Sequence, residues 1–248
     1  MKACYSCGEK AIKNGVYKAH IEDFIKEQLP KDNKHYHKKG APSKLIHGLK
    51  PNTCVFYFAT KRRPITSKIL KFEDAYGHLT NSGCTKTDSK GNAKFFLHCP
   101  QVYKSLNGKI YSRHIHFVYW NDKKHCWESN LYTHEIICHV DKEYVKKHAS
   151  KSLIIDALPE KYYNREHIKG AVNLPYNKRV SEKDVLLLMK KRGFKTLNKN
   201  IPIIVYCYNK ACNASEKLIK KLDKLGFHNI VDYNSGIKGW DGAKESFL

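Results

Sequence analysis

Cys207 lies at the end of a predicted strand, a position from which a thiol could act as a nucleophile. The apolar segment IPIIVYC ends at Cys207, and a Lys-rich helical pattern begins near Ala214. Backbone N–H groups and a helix N-terminus would then surround the thiol, where they bind anions and favour thiolate. This position suits a nucleophile, and it suits a buried structural cysteine equally well. The candidate active-site loop continues through Tyr208, Asn209, Lys210, Ala211, Cys212 and Asn213.

The loop contains a second thiol. Cys212 follows Cys207 by five residues, so a tight loop could bring the two sulfur atoms to disulfide distance. Cys212 would then resolve a persulfide or sulfenic acid on Cys207. The alternative, which we favour, is that Cys212 packs at the start of the following helix.

Two histidines that alternate along a predicted strand form another suggestive pattern. His114 and His116, in SRHIHFVYW, point to the same face of the strand, and Tyr103 and Tyr111 lie upstream. Imidazole and phenolate both suit Fe(III), so a non-haem iron site is one interpretation. Alternating histidines and aromatic residues are also ordinary on a half-buried face of a sheet, and that interpretation is the commoner one.

The N-terminus carries a single CxxC pattern, CYSC, at Cys4 and Cys7. Such a pair could supply two of the four ligands of a zinc site, or it could form a redox pair by itself. No second CxxC follows, although His20, His35 and His37 could supply the missing ligands. We expect a minor metal site or a flexible end.

The composition indicates packed domains in a reducing compartment. The chain has 248 residues, of which 41% are hydrophobic, enough for one large or two ordinary domains. No apolar run approaches the roughly 18 residues of a membrane span, and the N-terminus lacks the apolar centre of a signal peptide. We therefore expect a cytoplasmic protein without membrane contact, whose nine cysteines are mostly free thiols.

The formal net charge is +23, and the basic excess is spread over the whole chain. Such a charge favours anionic partners, nucleic acid among them. The alternative is the codon bias of an A/T-rich genome, which enriches Lys, Asn, Ile and Tyr. We favour this alternative because no Arg-rich tract or nucleic-acid motif accompanies the charge.

The elements that would position these residues change in kind along the chain. Residues 1–50 form a Lys/His-rich segment with a helix predicted over Ala19–Leu29. Residues 51–144 contain short β-branched or aromatic runs between turn signals, which predict an antiparallel β-sandwich. Residues 145–248 alternate apolar strands with helices, which predicts a parallel α/β sheet. The predicted fold class is therefore a two-domain α+β chain.

Residues 152–240 resemble a rhodanese domain. The segments LIIDA, REHIKGAVNLP, IPIIVYC and LGFHNIVDYNSGIKGW occur in the order of that family. The resemblance implies that Cys207 carries a persulfide and needs no cofactor. It would take sulfur from a small sulfur-containing anion, such as thiosulfate, or from a protein persulfide, and pass it to a thiol or another nucleophile. Asp156 and His167 fall on family motif positions, Asp156 as support of the fold and His167 in packing or hydrogen bonding near the first loop.

The sequence departs from that family at the loop. The loop is seven residues long, a length that resembles the phosphatase and arsenate-reductase relatives of this fold, and it ends in Asn213 where they have Arg. Asn cannot bind an oxyanion bidentately as Arg does. Leu158 also replaces a common Arg of the family. These departures argue against phosphatase activity, predict poor thiosulfate turnover and favour a non-catalytic binding domain as the alternative.

The segment with the histidines is similar to intradiol ring-cleavage dioxygenases. TDSKGNAKFFLHCPQVY, SRHIHF and LYTHEII occur in the order of that family. The resemblance implies a β-sandwich that holds Fe(III) through two tyrosines and two histidines. His114 and His116 would be the histidines and Tyr103 one tyrosine, while Tyr76 is the nearest upstream candidate for the other.

A Lys-rich β-sandwich joined to a rhodanese domain looks like proteins of large DNA viruses, which implies a location in the host cytoplasm or the virion. The leading functional prediction is rhodanese-type sulfur transfer or thiol redox chemistry at Cys207. The alternatives are a non-catalytic binding protein, associated with a virion or nucleic acid, and an iron dioxygenase.

Overall fold

The computed structural model describes residues 16–20, 23–105 and 107–247, which form two compact units. Within these residues, the N-terminal unit comprises the chain up to Arg63 together with Ile69–Ile136. The C-terminal unit comprises Pro64–Lys68 and the chain from Ile137 onward.

The N-terminal unit is built mainly from antiparallel strands. Its described elements are β1 (Val16–His20), α1 (Asp23–Lys26), β2 (Ser43–Ile46), β3 (Cys54–Ala59), β4 (Leu70–Lys71), α2 (Phe72–Tyr76), β5 (Asn81–Lys86), β6 (Ala93–Phe96), β7 (Tyr103–Lys104), β8 (Ile110–Tyr111), β9 (His114–Asn121), β10 (Cys126–Trp127) and β11 (Asn130–Glu135). The main sheet has the order β1-β11-β9-β3-β5, and β10 pairs with β9. Two smaller sheets pair β2 with β6 and join β4, β7 and β8.

An inner strand of the main sheet, β3, is buried on both faces. Phe56 and Phe58 pack with the aromatic residues of α2, β7 and β8, whereas Val55 and Tyr57 pack with residues of β2 and β6. The predicted sandwich of two sheets is therefore only partly present. The short strands β4, β7 and β8 have two residues each, so aromatic side chains and α2 close that face instead of a full second sheet.

The helix predicted over Ala19–Leu29 is confirmed only at Asp23–Lys26. Val16–His20 form β1, which pairs antiparallel with β11, and among the described residues before β2 the helix is the single turn α1. Pairing with an available sheet edge overrides the local helical pattern, because it satisfies backbone hydrogen bonds along five residues. The described part of the predicted segment 1–50 therefore contributes strands β1 and β2 to the N-terminal unit and is not a separate segment.

The C-terminal unit contains the predicted parallel sheet. Its described elements are α3 (Lys142–His148), β12 (Leu153–Asp156), α4 (Glu160–Arg165), β13 (His167–Ile168), β14 (Val172–Asn173), α5 (Glu182–Lys191), β15 (Ile203–Tyr206), α6 (Ala214–Lys224), β16 (Ile230–Tyr233) and β17 (Lys244–Glu245), with 3-10 turns at Ala149–Lys151 and Ile237–Gly239. The sheet order is β14-β12-β15-β16, all parallel, and β13 pairs with β17. None of the described helices has the length and apolar character of a bilayer span.

The division between the units lies at Ile137, eight residues before the predicted boundary that separates 51–144 from 145–248. The reason is backbone pairing beside β16. Asp232 N–H donates to Cys138 O at 2.9 Å, and Val140 N–H donates to Asp232 O at 2.8 Å. The short segment Pro64–Lys68 also belongs to this unit, where Asn229 Nδ2 donates to Ile65 O at 2.9 Å.

Candidate functional site

Four side chains that could bind a metal meet on one buried face of the main sheet. His114 Nε2 lies 3.2 Å from Tyr76 Oη and 3.3 Å from Tyr103 Oη. It also lies 3.2 Å from His116 Nε2. Each of the four residues is at most 2% exposed. The structure therefore brings together the two tyrosines and two histidines suggested by the sequence; we call them the Tyr/His cluster.

Strand pairing positions the two histidines. Both point to the same face of β9, where residue 116 is the register partner of Phe58 in β3 and of Thr133 in β11. The ring of His116 packs 5.4 Å from that of Phe58, centroid to centroid. Tyr111 stacks on Tyr103 at 5.3 Å, so of the two upstream tyrosines Tyr103 directs its hydroxyl to the histidines.

Hydrogen bonds at the other ring nitrogens orient both imidazoles. His114 Nδ1 lies 2.6 Å from Ser112 O, and because a carbonyl only accepts, Nδ1 carries the proton. Nε2 of His114 therefore presents its lone pair to the cluster. His116 Nδ1 lies 2.8 Å from Thr133 Oγ1, which holds that ring in place. Metal-binding histidines are commonly oriented in this way.

The donor atoms of the cluster fit Fe(III). Two phenol oxygens and two imidazole nitrogens are ligands that suit this ion. A neutral imidazole nitrogen accepts one good hydrogen bond, whereas three polar atoms lie within 3.3 Å of His114 Nε2. A cation among these atoms would allow both phenols to ionise and both Nε2 atoms to act as ligands.

Thr133 was not identified from the sequence. Its position on β11 becomes visible only through the pairing with β9. The signal that could have found it is a polar residue at an inward-facing position of LYTHEII, since Thr133 lies two residues after Leu131 and both are fully buried.

In the C-terminal unit, the predicted loop begins directly after β15 and ends at α6. The four apolar residues of β15 are all buried in the sheet, so the strand delivers Cys207 into the interior, where it is fully buried. The thiol donates to Cys212 O at 3.2 Å, and Sγ lies 3.5 Å from Ser215 Oγ. Cys207 and Cys212 are both free thiols.

These surroundings favour the neutral thiol. Burial first, and hydrogen bonding with Cys212 second, raise the pKa of Cys207 to about 11. The hydroxyl and backbone N–H of Ser215 act in the opposite direction. At pH 7 the Cys207 thiol is therefore almost entirely protonated.

The loop amides form only part of the predicted anion-binding cradle. Cys212 N–H donates to Asn209 O, and Ala211 N–H donates to Asn209 Oδ1, both at 3.0 Å. These two donors are thus used within the loop instead of at the sulfur atom. Four loop residues are exposed to solvent: Tyr208, Lys210, Ala211 and Asn213.

The family of the C-terminal unit follows from a comparison with family models. Residues 141–243 match the model described as the rhodanese-like domain. These residues form a rhodanese-like domain. The match explains why LIIDA, IPIIVYC and the segment ending at Trp240 occur in this order.

Solved structures similar to the chain include a protein from Bacillus halodurans, which is 28% identical with a TM-score of 0.37 over 45% of this chain and 78% of that chain. A rhodanese with anions from E. coli is 21% identical, with a TM-score of 0.30, and the match covers 38% of this chain and 98% of that chain. A thiosulfate sulfurtransferase from Pseudomonas aeruginosa is 19% identical, with a TM-score of 0.35, and the match covers 45% of this chain and 20% of that chain. The search of curated proteins returned no match. Viral origin stays a prediction.

Two further motif residues of the rhodanese-like domain hold its loops. Asp156 Oδ1 accepts from Leu158 N–H at 2.8 Å, and burial raises the pKa of Asp156 to about 6. Asn173 Nδ2 donates to the carbonyl oxygens of Asp156 and Leu158. His167 is fully buried, with Nδ1 2.8 Å from Tyr163 O and its ring stacked on that of Tyr163 at 3.9 Å.

The predicted metal site at the N-terminus lies outside the described residues. This applies to Cys4 and Cys7 and to the side chain of His20. His35 and His37 are exposed, with ring centroids 6.0 Å apart. The CxxC pattern therefore stays a prediction.

Proposed function

We propose that the N-terminal unit binds Fe(III) through Tyr76, Tyr103, His114 and His116 and cleaves the ring of a catechol-type aromatic diol with dioxygen. The observation that supports the proposal is that two phenol oxygens and the Nε2 atom of His116 all lie within 3.3 Å of His114 Nε2. Bound Fe(III) would supply the Lewis acidity that activates an aromatic diol toward dioxygen.

The residues of the chain prepare this site in three ways. Ser112 O and Thr133 Oγ1 orient the imidazoles so that both Nε2 atoms face the same point. The two tyrosines would give up their hydroxyl protons when Fe(III) binds, and their phenolates would supply negative charge to it. Phe58 packs on His116 and Phe72 on Tyr103, and these apolar neighbours strengthen electrostatic interactions in the cluster.

Iron loading tests the proposal. The full-length protein, stripped of metal and reconstituted with Fe(III), is expected to bind iron and to show visible phenolate-to-iron charge-transfer absorption. This absorption requires tyrosine ligands. Iron that is held by histidine and carboxylate ligands alone does not produce it. Oxygen uptake with catechol then measures the reaction. Colourless iron-loaded protein contradicts the metal site, whereas coloured protein without oxygen uptake contradicts only the reaction.

A second candidate function is sulfur transfer by the rhodanese-like domain, with Cys207 as the persulfide carrier. Its support is the position of Cys207 at the end of β15, followed by the N-terminus of α6. The donor would be a small sulfur-containing anion or a protein persulfide. The buried thiol and the neutral Asn213 at the loop end make this a slow reaction at neutral pH.

Sulfur transfer is tested by intact mass after treatment with thiosulfate at pH 7 and pH 9. One added sulfur atom is expected, with a rate that rises about tenfold per pH unit, because the thiolate fraction increases as the pH approaches the raised pKa of Cys207. The adduct should be absent in Cys207→Ser and retained in Cys212→Ser. If neither thiosulfate nor a protein persulfide donor forms an adduct at either pH, sulfur transfer at Cys207 is excluded and a non-catalytic binding module is favoured.

A further inference from the structure

Three ligand-type side chains of the C-terminal unit form a cluster unrelated to the Cys207 thiol. His139, Glu216 and Asp232 each place a donor atom within 4.8 Å of the other two. They come from the segment beside β16, from the first turn of α6 and from β16 itself. Three separate chain segments thus converge on one point.

Asp232 is the buried member of this cluster. Its side chain is only 2% exposed, and Oδ2 lies 3.0 Å from His139 Nδ1. Oδ1 is buried and has no hydrogen-bond partner among the described residues. An unpartnered buried carboxylate oxygen is costly, and a second carboxylate nearby adds repulsion. A cation bound between the two carboxylates removes both costs.

The backbone keeps Asp232 in this position. Its N–H and C=O both pair with the segment that carries His139, through Cys138 O and Val140 N–H. Glu216 is half-buried on α6 and His139 is 44% exposed, so the cluster is reached from solvent on the His139 side. The site is therefore preformed at its buried end and accessible at the other.

We propose that His139, Glu216 and Asp232 form a Zn²⁺ site of the rhodanese-like domain. One imidazole and two carboxylates are ligands of Zn²⁺, whereas Mg²⁺ and Ca²⁺ are bound by oxygen atoms alone in most proteins. Three protein ligands leave the fourth tetrahedral position to water on the exposed side. The ion ties the segment around His139 to the start of α6, the helix that follows the Cys207 loop.

Zinc content after equilibrium dialysis of the metal-free full-length protein tests the site. Glu216→Gln and His139→Ala are each expected to bind one Zn²⁺ per chain fewer than the parent protein. Glu182→Gln is the matched control, because Glu182 also lies in the first turn of a helix of the same unit, outside the cluster. Zinc bound elsewhere in the chain is common to all variants and cancels in the difference.

Two results would overturn the proposal. One is equal zinc content in the parent protein and all three variants. The other is displacement of the zinc by a thousandfold excess of Mg²⁺, which an imidazole-containing site should resist. Circular dichroism confirms folding of each variant, and His139→Ala alters a side chain that is largely outside the core. Because none of these residues belongs to the Tyr/His cluster, failure of this site leaves the proposed iron site untouched.

Discussion

The Tyr103→Phe variant is expected to lose about a hundredfold in Fe(III) affinity and to show a weaker, shifted charge-transfer band. The substitution removes one of four donor atoms, and losses in metal affinity of about 10- to 100-fold follow even from changes beyond the ligands themselves. The phenyl ring keeps the contacts of Tyr103 with Phe72 and Tyr111, so the core should stay packed. Titration of the metal-free protein with a ferric chelate, followed by visible absorption, measures both effects.

Tyr132→Phe is the matched control for this experiment. Tyr132 lies in β11 and stacks on Phe117 at 5.3 Å in the hydrophobic cluster on the other face of the main sheet. This variant also loses one phenol hydroxyl, but Tyr132 does not belong to the Tyr/His cluster. Its iron affinity and colour should therefore match those of the parent protein. Equal affinities for Tyr103→Phe and the parent would exclude Tyr103 as a ligand.

Gly236→Ala is expected to destabilise the C-terminal unit by several kcal/mol, a large part of the roughly 5–15 kcal/mol that stabilises an ordinary domain. Gly236 has a φ of +61°, and a Cβ there would lie 2.3 Å from Cys207 O and 2.5 Å from the carbonyl of Tyr208. Backbone atoms cannot move away as a flexible side chain can. The hydrogen bonds from Ile237 N–H to Cys207 O and from Lys238 N–H to Tyr208 O would be disrupted.

Gly193→Ala separates this steric cost from the conformational one. Gly193 also has a positive φ, of +80°, but its Cβ would meet no atom within 4 Å. Its cost is then about 1 kcal/mol, that of a left-handed conformation alone. Urea denaturation followed by circular dichroism compares the two variants. Equal urea midpoints for Gly236→Ala and Gly193→Ala would contradict the expectation that a Cβ at position 236 collides with the loop after β15.

Local patterns determined much of the C-terminal unit. Apolar runs alternating with helical patterns predicted the parallel sheet, because such strands are buried on both faces and read as continuous hydrophobic segments. The end of one run placed Cys207 directly after β15, at the start of the loop that leads to α6. In the N-terminal unit, the period of two along SRHIHF placed His114 and His116 on one face, since strand geometry alone sets that alternation.

Tertiary structure decided what those residues contact. Tyr76 reaches His114 across 38 residues of chain, and only packing of α2 on the main sheet brings them to 3.2 Å. The neighbours of Cys207 are a backbone carbonyl and a hydroxyl, which depend on how the loop closes and which no residue type reveals. The sequence by itself determined periodicity and strand ends, which are local properties. Hydrogen-bond partners, burial and β1 at the sheet edge arise from long-range pairing, so only the folded chain decided them.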